Sequence, residues 1–122
     1  MDKKKILVVD DERDVLTVLE RRLSKAGYDV VKAQNGTEAL KLAKSEFPDL
    51  ILLDILMPDI NGADVAAVLK KDPLTQKIPI IFLTCLYTRA DETQQGHEVA
   101  GNFFIAKPFN PDELLTEIKK RL

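Results

Sequence analysis

The segment Leu50-Ile51-Leu52-Leu53-Asp54 is the strongest indication of the fold, because four consecutive apolar residues end in a carboxylate. A short, wholly apolar run is typical of a central strand in a parallel sheet, where both faces are buried. The residues that follow, 55–62, contain proline, asparagine and glycine, which indicate a turn. The pattern predicts that Asp54 is held at the edge of a core with its tip exposed.

Outward from this segment, strands and helices alternate along the whole chain. We predict strands at 5–10, 28–33, 49–53, 79–83 and 102–105, with helices over 12–26, 36–47, 62–70 and 111–122. Asn35, Asn61 and Asn110 stand where helix N-caps are expected, and a short helix is expected within 87–97. The order predicts an α/β fold: a doubly wound, five-stranded parallel sheet with helices on both faces. The first, third and fourth strands are expected to be central and the other two to be edges.

Size and composition narrow the class of protein. A chain of 122 residues is expected to be a single domain, spanning 1–122 with no output domain. The formal net charge of −2 gives no basic surface for direct nucleic acid binding. A single cysteine, Cys85, fits a reducing compartment, and no apolar segment reaches the ~20 residues of a membrane span. We therefore expect a cytoplasmic protein that does not bind membranes.

Polar residues with complementary chemistry follow the predicted strands. Open parallel sheets bind ligands at the carboxyl ends of their strands, so residues at those ends should converge. The set consists of three acids, a hydroxyl and an ammonium: Asp10, Asp11, Asp54, Thr84 and Lys107. Each of them alone is more simply explained as a turn residue, a helix cap or an exposed side chain. Together at one sheet edge, they indicate a site for Mg²⁺ and a phosphoryl group.

The chemistry of such a site assigns a role to each residue. Mg²⁺ prefers oxygen ligands and keeps several waters. We predict direct ligation by Asp11 and Asp54, with Asp10 adjacent and the backbone carbonyl of Leu56 completing the protein's share. The Asp54 carboxylate can attack phosphorus to form an aspartyl-phosphate, while Thr84 and Lys107 neutralise charge on the remaining oxygens.

The same residues lie in segments that resemble the receiver domain of bacterial two-component response regulators. The resemblance covers nearly the whole chain, and it is specific because several segments match together. These are KILVVDDE at 5–12, NGTEAL at 35–40, the segment from Asp49 to Gly62, IIFLT at 80–84 and KPF at 107–109.

This resemblance implies a flavodoxin-like fold with strand order 2-1-3-4-5, as in chemotaxis regulators. It implies that Asp54 is the phosphoacceptor and that Asp10 and Asp11 are the acidic metal pair. Thr84 and Phe104 become the switch residues, and Lys107 the lysine of the site. A sensor histidine kinase or a histidine phosphotransfer protein would donate the phosphoryl group. The 87–122 face would then switch to control an output domain or a partner, with only self-catalysed phosphotransfer and slow autodephosphorylation as chemistry.

The sequence departs from the family's pattern at several places, among them Cys85 where a smaller residue is usual, and Phe104 where tyrosine is commoner. Two other interpretations remain at this point. One is an aspartyl-phosphate phosphohydrolase of the haloacid dehalogenase type, which usually has a second acid two residues after the nucleophile, where this chain has Leu56. The other is a receiver-like interaction module that is not phosphorylated.

Overall fold

A computed structural model describes residues 3–84, 98–99, 102–106 and 109–122. Within these residues one sheet has the strand order β2-β1-β3-β4-β6-β5. Its strands are β1 (Lys5–Val9), β2 (Asp29–Ala33), β3 (Leu50–Leu53), β4 (Ile80–Thr84), β5 (Glu98–Val99) and β6 (Asn102–Ala106). All but β5 pair in parallel, so the predicted five-stranded parallel sheet and its order are confirmed.

The strand β5 was not predicted. Its two residues pair antiparallel with the start of β6, Glu98 opposite Phe103 and Val99 opposite Asn102. Two residues are too few to produce an alternating pattern that sequence analysis can detect. The prediction that the last parallel strand forms an edge was therefore wrong over this stretch, whereas β2 does form the other edge. The helix expected within 87–97 lies outside the described residues.

Four helices lie in the described part of the chain: α1 (Arg13–Lys25), α2 (Gly36–Glu46), α3 (Gly62–Lys71) and α4 (Pro111–Arg121). Three of them begin as predicted at an asparagine whose side chain accepts hydrogen bonds from backbone N–H groups of the first turn. Asn35 accepts from Glu38 at 2.8 Å, and Asn61 accepts from Ala63 at 2.7 Å. Asn110 caps α4 in the same way.

The sheet separates two hydrophobic cores. On one face, side chains of the sheet pack with α2 and α3; on the other, they pack with α1 and α4. Residues of β3 alternate between the two, with Ile51 and Leu53 in the first core and Leu50 and Leu52 in the second. This alternation explains why the strand is apolar throughout, since each fully buried side chain of this size contributes about 1.5–3 kcal/mol.

Among the helices of the described residues, we find none with the length and apolar character needed to cross a bilayer.

Candidate functional site

The register of β1 and β3 brings two carboxylates side by side. Val9 pairs with Leu53, so Asp10 and Asp54 leave neighbouring strands at the same level. The Asp54 N–H donates to the Val9 carbonyl at 3.0 Å and extends the pairing by one residue. Asp10 is 1% exposed and Asp54 is 4% exposed. The Asp54 carboxylate is thus more enclosed than the sequence suggested, because the chain after it folds back over the strand end.

Three consecutive acids form a cluster at the end of β1. Carboxylate oxygens of Asp10, Asp11 and Glu12 lie within 4.8 Å of one another, a spacing that fits oxygen ligation of a divalent cation. Asp10 is buried, and its Oδ1 accepts a hydrogen bond from the Glu12 N–H at 2.9 Å, which fixes its orientation. Asp11 and Glu12 are exposed. Asp54 belongs to the neighbouring strand and is not one of this group of described acids.

Glu12 is an acid that the sequence analysis did not single out. A signal exists in the sequence, because Glu12 directly follows Asp10 and Asp11, but the same position also fits the start of α1. The structure places it just before that helix, in an extended conformation and without a side-chain capping bond. Its carboxylate therefore sits with the other two instead of serving the helix.

Thr84 and Lys107 were expected to complete the site. The backbone of Thr84 ends β4 and pairs with Ala106, the residue before Lys107. The backbone of Thr84 thus ends β4 at the same edge of the sheet as Asp10 and Asp54. The Thr84 side chain and the whole of Lys107 fall outside the described residues, as does Cys85, so their roles stay predictions.

The chain after β3, residues 54–62, is called the acceptor loop below. Leu56 lies in it, with a half-exposed side chain and an N–H that donates to Asp54 Oδ1 at 3.4 Å. At its end the Gly62 N–H donates to the Ile55 carbonyl at 2.8 Å. A Cβ atom at Gly62 would overlap the Asp54 carbonyl oxygen, so only glycine fits there. The last residue of the loop is thus packed against the backbone of its first residue, Asp54.

Asp59 ties the acceptor loop to the start of α2. Its Oδ1 accepts from the Gly36 N–H at 2.9 Å, and its Oδ2 accepts from the Thr37 N–H at 2.9 Å and from Thr37 Oγ1 at 2.7 Å. The Gly36 N–H foremost, followed by the two donors of Thr37, holds the pKa of Asp59 well below its usual range. Sequence analysis missed Asp59, because its partners lie more than 20 residues away.

Phe104, the expected switch aromatic, is fully buried. It pairs with Phe82 of β4 and lies in the core that the sheet shares with α2 and α3. This is the strand-packing position that an apolar ring favours, and the switch role of Phe104 stays a prediction.

Comparison with known protein families and with individual proteins finds matches over nearly the whole chain. Residues 6–119 match the family model described as the response regulator receiver domain. The chain is 43% identical over 122 residues to the probable transcriptional regulator ycf27 of Porphyridium aerugineum, covering 100% of this chain and 49% of the relative. It is 41% identical over 116 residues to the Bacillus subtilis alkaline phosphatase synthesis transcriptional regulatory protein PhoP, covering 95% and 47%. The chain spans about half the length of the curated relatives it matches.

Solved structures share the fold. The chemotaxis response regulator CheY4 of Vibrio cholerae superposes with a TM-score of 0.86 at 30% identity, covering 99% of this chain and 100% of that one. The response regulator TrrA of Thermotoga maritima, solved in complex with Mg²⁺ and BeF, has a TM-score of 0.81 at 40% identity and covers 98% and 99%. This chain is similar to both proteins over nearly its full length.

Proposed function

This chain belongs to the response regulator receiver domains, the phosphoacceptor modules of two-component systems, and we propose that Asp54 accepts the phosphoryl group. The observation that carries the proposal is the pairing of Val9 with Leu53, which sets Asp54 beside the acid cluster of β1. An enclosed carboxylate at a strand end, next to acids that can hold a cation, is suited to attack phosphorus.

The reaction is transfer from a phosphohistidine. A carboxylate oxygen of Asp54 attacks phosphorus, the P–N bond of the donor breaks, and the imidazole leaves after taking up a proton. The donor would be a sensor histidine kinase or a histidine phosphotransfer protein. Thr84 and Lys107 would each contact a phosphoryl oxygen from the ends of β4 and β6.

The residues at the end of β1 fit Mg²⁺. Asp11 is exposed toward solvent, and Asp10 is oriented by the Glu12 N–H. Carboxylate oxygens of Asp10, Asp11 and Glu12 lie within 4.8 Å of one another. We assign Asp10, Asp11, Asp54 and the Leu56 carbonyl as the groups that hold the ion. When bound, Mg²⁺ neutralises negative charge on the phosphoryl oxygens. Support comes from TrrA, whose structure contains Mg²⁺ and BeF.

Phosphorylation would act as a switch. The acyl phosphate adds about −1.5 to −2 charge at the edge of the sheet, and this charge draws the Thr84 hydroxyl and the Lys107 ammonium toward it. Phe104 is the aromatic residue that would respond, and the 87–122 face would be remodelled for a partner. The relatives are described as transcriptional regulators about twice as long, so the controlled partner would be an output domain or a separate protein.

The low exposure of Asp54 would keep autodephosphorylation slow.

Neither alternative from the sequence gains support. A dehalogenase-type phosphohydrolase usually carries an acid where this chain has the half-exposed Leu56. A module that is not phosphorylated would have no need for an enclosed Asp54 next to an acid cluster.

The proposal is tested by labelling with acetyl phosphate and Mg²⁺, followed by intact mass. We expect stoichiometric labelling of the wild type and none of Asp54→Asn. Asp64→Asn, at an exposed aspartate of α3, is the matched control and should label as the wild type does. Full labelling of Asp54→Asn would overturn the assignment.

A further inference from the structure

The first turn of α2 is capped by two side chains, and one of them belongs to the acceptor loop. An α-helix leaves its first backbone N–H groups without partners inside the helix. Here Asn35 accepts from the Glu38 N–H, whereas Asp59 accepts from the N–H groups of Gly36 and Thr37. Both carboxylate oxygens of Asp59 are engaged, and its negative charge faces the positive end of the helix. The first turn of α2 is thus capped by a residue that lies 23 positions after Gly36 and 22 positions after Thr37.

A second contact fixes the same two segments against each other. A Cβ atom at Gly36 would lie 2.8 Å from Ile60 Cβ and 3.0 Å from the Ile60 carbonyl oxygen. The start of α2 therefore lies directly on the acceptor loop with no room for a side chain between them. Hydrogen bonds through Asp59 and close packing at Ile60 act on adjacent residues of the loop, so they hold it at one defined distance from the helix.

The other end of the acceptor loop is fixed as well. Gly62 lies against the backbone of Asp54 and Ile55, and Asn61 caps α3. Leu56 lies between Asp54, whose backbone Gly62 contacts, and Asp59, three residues further on, and Pro58 limits the conformations of that span. A displacement at Asp59 is therefore passed along a short, restrained segment to the Leu56 carbonyl.

We infer that Asp59 is a positioning residue of the metal and phosphoryl site, because it holds the Leu56 carbonyl in place by fastening the acceptor loop to α2. The inference rests on the proposed function, in which Leu56 supplies an oxygen to Mg²⁺. Asp59 itself is not among the groups assigned to the ion. Residues that orient metal ligands in this way typically change metal affinity by about 10–100-fold when they are lost.

A matched carboxylate at the opposite edge of the sheet can serve as a control. It distinguishes a positioning role of Asp59 at the metal site from a purely structural role. Asp72 follows α3; it accepts from the Leu74 N–H at 2.9 Å and forms an ion pair of 3.2 Å with Lys44 near the end of α2. It is thus a second carboxylate that fastens a loop next to α2, but it lies before β4 and not after β3. Loss of Asp72 should destabilise the fold without changing the site.

The test measures the Mg²⁺ dissociation constant of the unphosphorylated chain by calorimetric titration. We expect Asp59→Ala to weaken Mg²⁺ binding about tenfold. In Asp72→Ala the constant should stay within about twofold, whatever its loss of stability. Asp59→Asn should fall between the two, because the amide keeps one oxygen for Gly36 but presents an N–H₂ donor toward Thr37.

Several outcomes decide the matter. Wild-type Mg²⁺ affinity in folded Asp59→Ala would overturn the inference, as would equal weakening in Asp72→Ala. If Asp59→Ala does not fold, Thr37→Val decides instead, because it removes only the hydroxyl bond to Asp59 and should weaken Mg²⁺ binding by a smaller factor; an unchanged constant would overturn the inference. Acetyl phosphate labelling is scored separately, so failure of Asp54 to label would refute the proposed function and leave the Mg²⁺ result readable.

Discussion

At the scale of single residues, Gly62 sets how closely the acceptor loop can return to Asp54. We expect Gly62→Ala to lower the free energy of unfolding by about 3 kcal/mol, at the upper end of the cost of overpacking, because the new methyl group meets backbone and not a flexible side chain. Urea unfolding measures the loss, and acetyl phosphate labelling of the folded fraction should also slow.

Gly27 provides the control for that experiment. It has a φ of 98° and no heavy atom within 4 Å of the position where a Cβ would lie. Gly27→Ala should therefore destabilise through backbone strain alone, by about 1–2 kcal/mol, while the folded fraction labels normally. Slower labelling in both variants would show that stability, and not the geometry of the acceptor loop, governs the reaction.

The pKa of Asp59 leads to a prediction about acid stability. Because its pKa is lowered on folding, the ionised form stabilises the native state fully above the ordinary pKa of 3.8, and this contribution is lost as the pH falls toward the lower folded value. Asp59→Asn should be less stable than the wild type by a constant amount at neutral pH, and the difference should shrink below about pH 4. Chemical denaturation across that range measures it; a difference that did not shrink in acid would contradict the assigned hydrogen bonds.

The residues of the site were predictable to different degrees. Asp54 could be found because an apolar run ends at it, and Asp10 and Asp11 because they end another strand. Asp59 and Gly62 stand in the same turn and look like ordinary loop residues. Their roles depend on Gly36, Thr37 and the backbone of Asp54, which are contacts that no local pattern contains.

At the scale of elements, two helix caps of the same chemistry should differ in their effect on function. Asn61 and Asn110 each accept two backbone N–H groups, for α3 and α4 respectively. Replacing either asparagine by alanine should cost about 1 kcal/mol in urea unfolding. We expect only Asn61→Ala to slow labelling by acetyl phosphate, because α3 starts where the acceptor loop ends. Equal rates in the two variants would refute this distinction.

Helix bounds were predictable because caps and apolar spacing are local signals. The predicted helix over 62–70 is observed as Gly62–Lys71, and the predicted helix over 111–122 as Pro111–Arg121. The strand β5 was not predictable, since Glu98 and Val99 are defined as a strand only by pairing with β6. Pairing partners, unlike caps, can be distant in sequence.

For the whole molecule, a Mg²⁺ ion bound to the three acids that lie within 4.8 Å of one another should stabilise the folded state, because the unfolded chain does not hold these acids together. Mg²⁺ at about 100 times its dissociation constant should raise the free energy of unfolding by about 2.7 kcal/mol. Thermal unfolding with and without Mg²⁺ measures this, with sodium chloride of equal ionic strength as control. Asp11→Asn should remove most of the Mg²⁺ effect; an equal effect of sodium chloride would show that the cluster does not bind the ion specifically.

The fold as a whole followed from the alternation of strands and helices, since parallel strands need a crossover between them and each apolar strand needs cover on both faces. What the sequence did not reveal was how tightly the acceptor loop is fastened.

The side chains of β3 alternate between the two cores of the molecule. Ile51 and Leu53 pack with α2 and α3, while Leu50 and Leu52 pack with α1 and α4. Asp54 therefore continues a backbone that both cores hold from opposite sides. Core substitutions on either side of the sheet that displace β3 should therefore change the rate at which Asp54 is labelled.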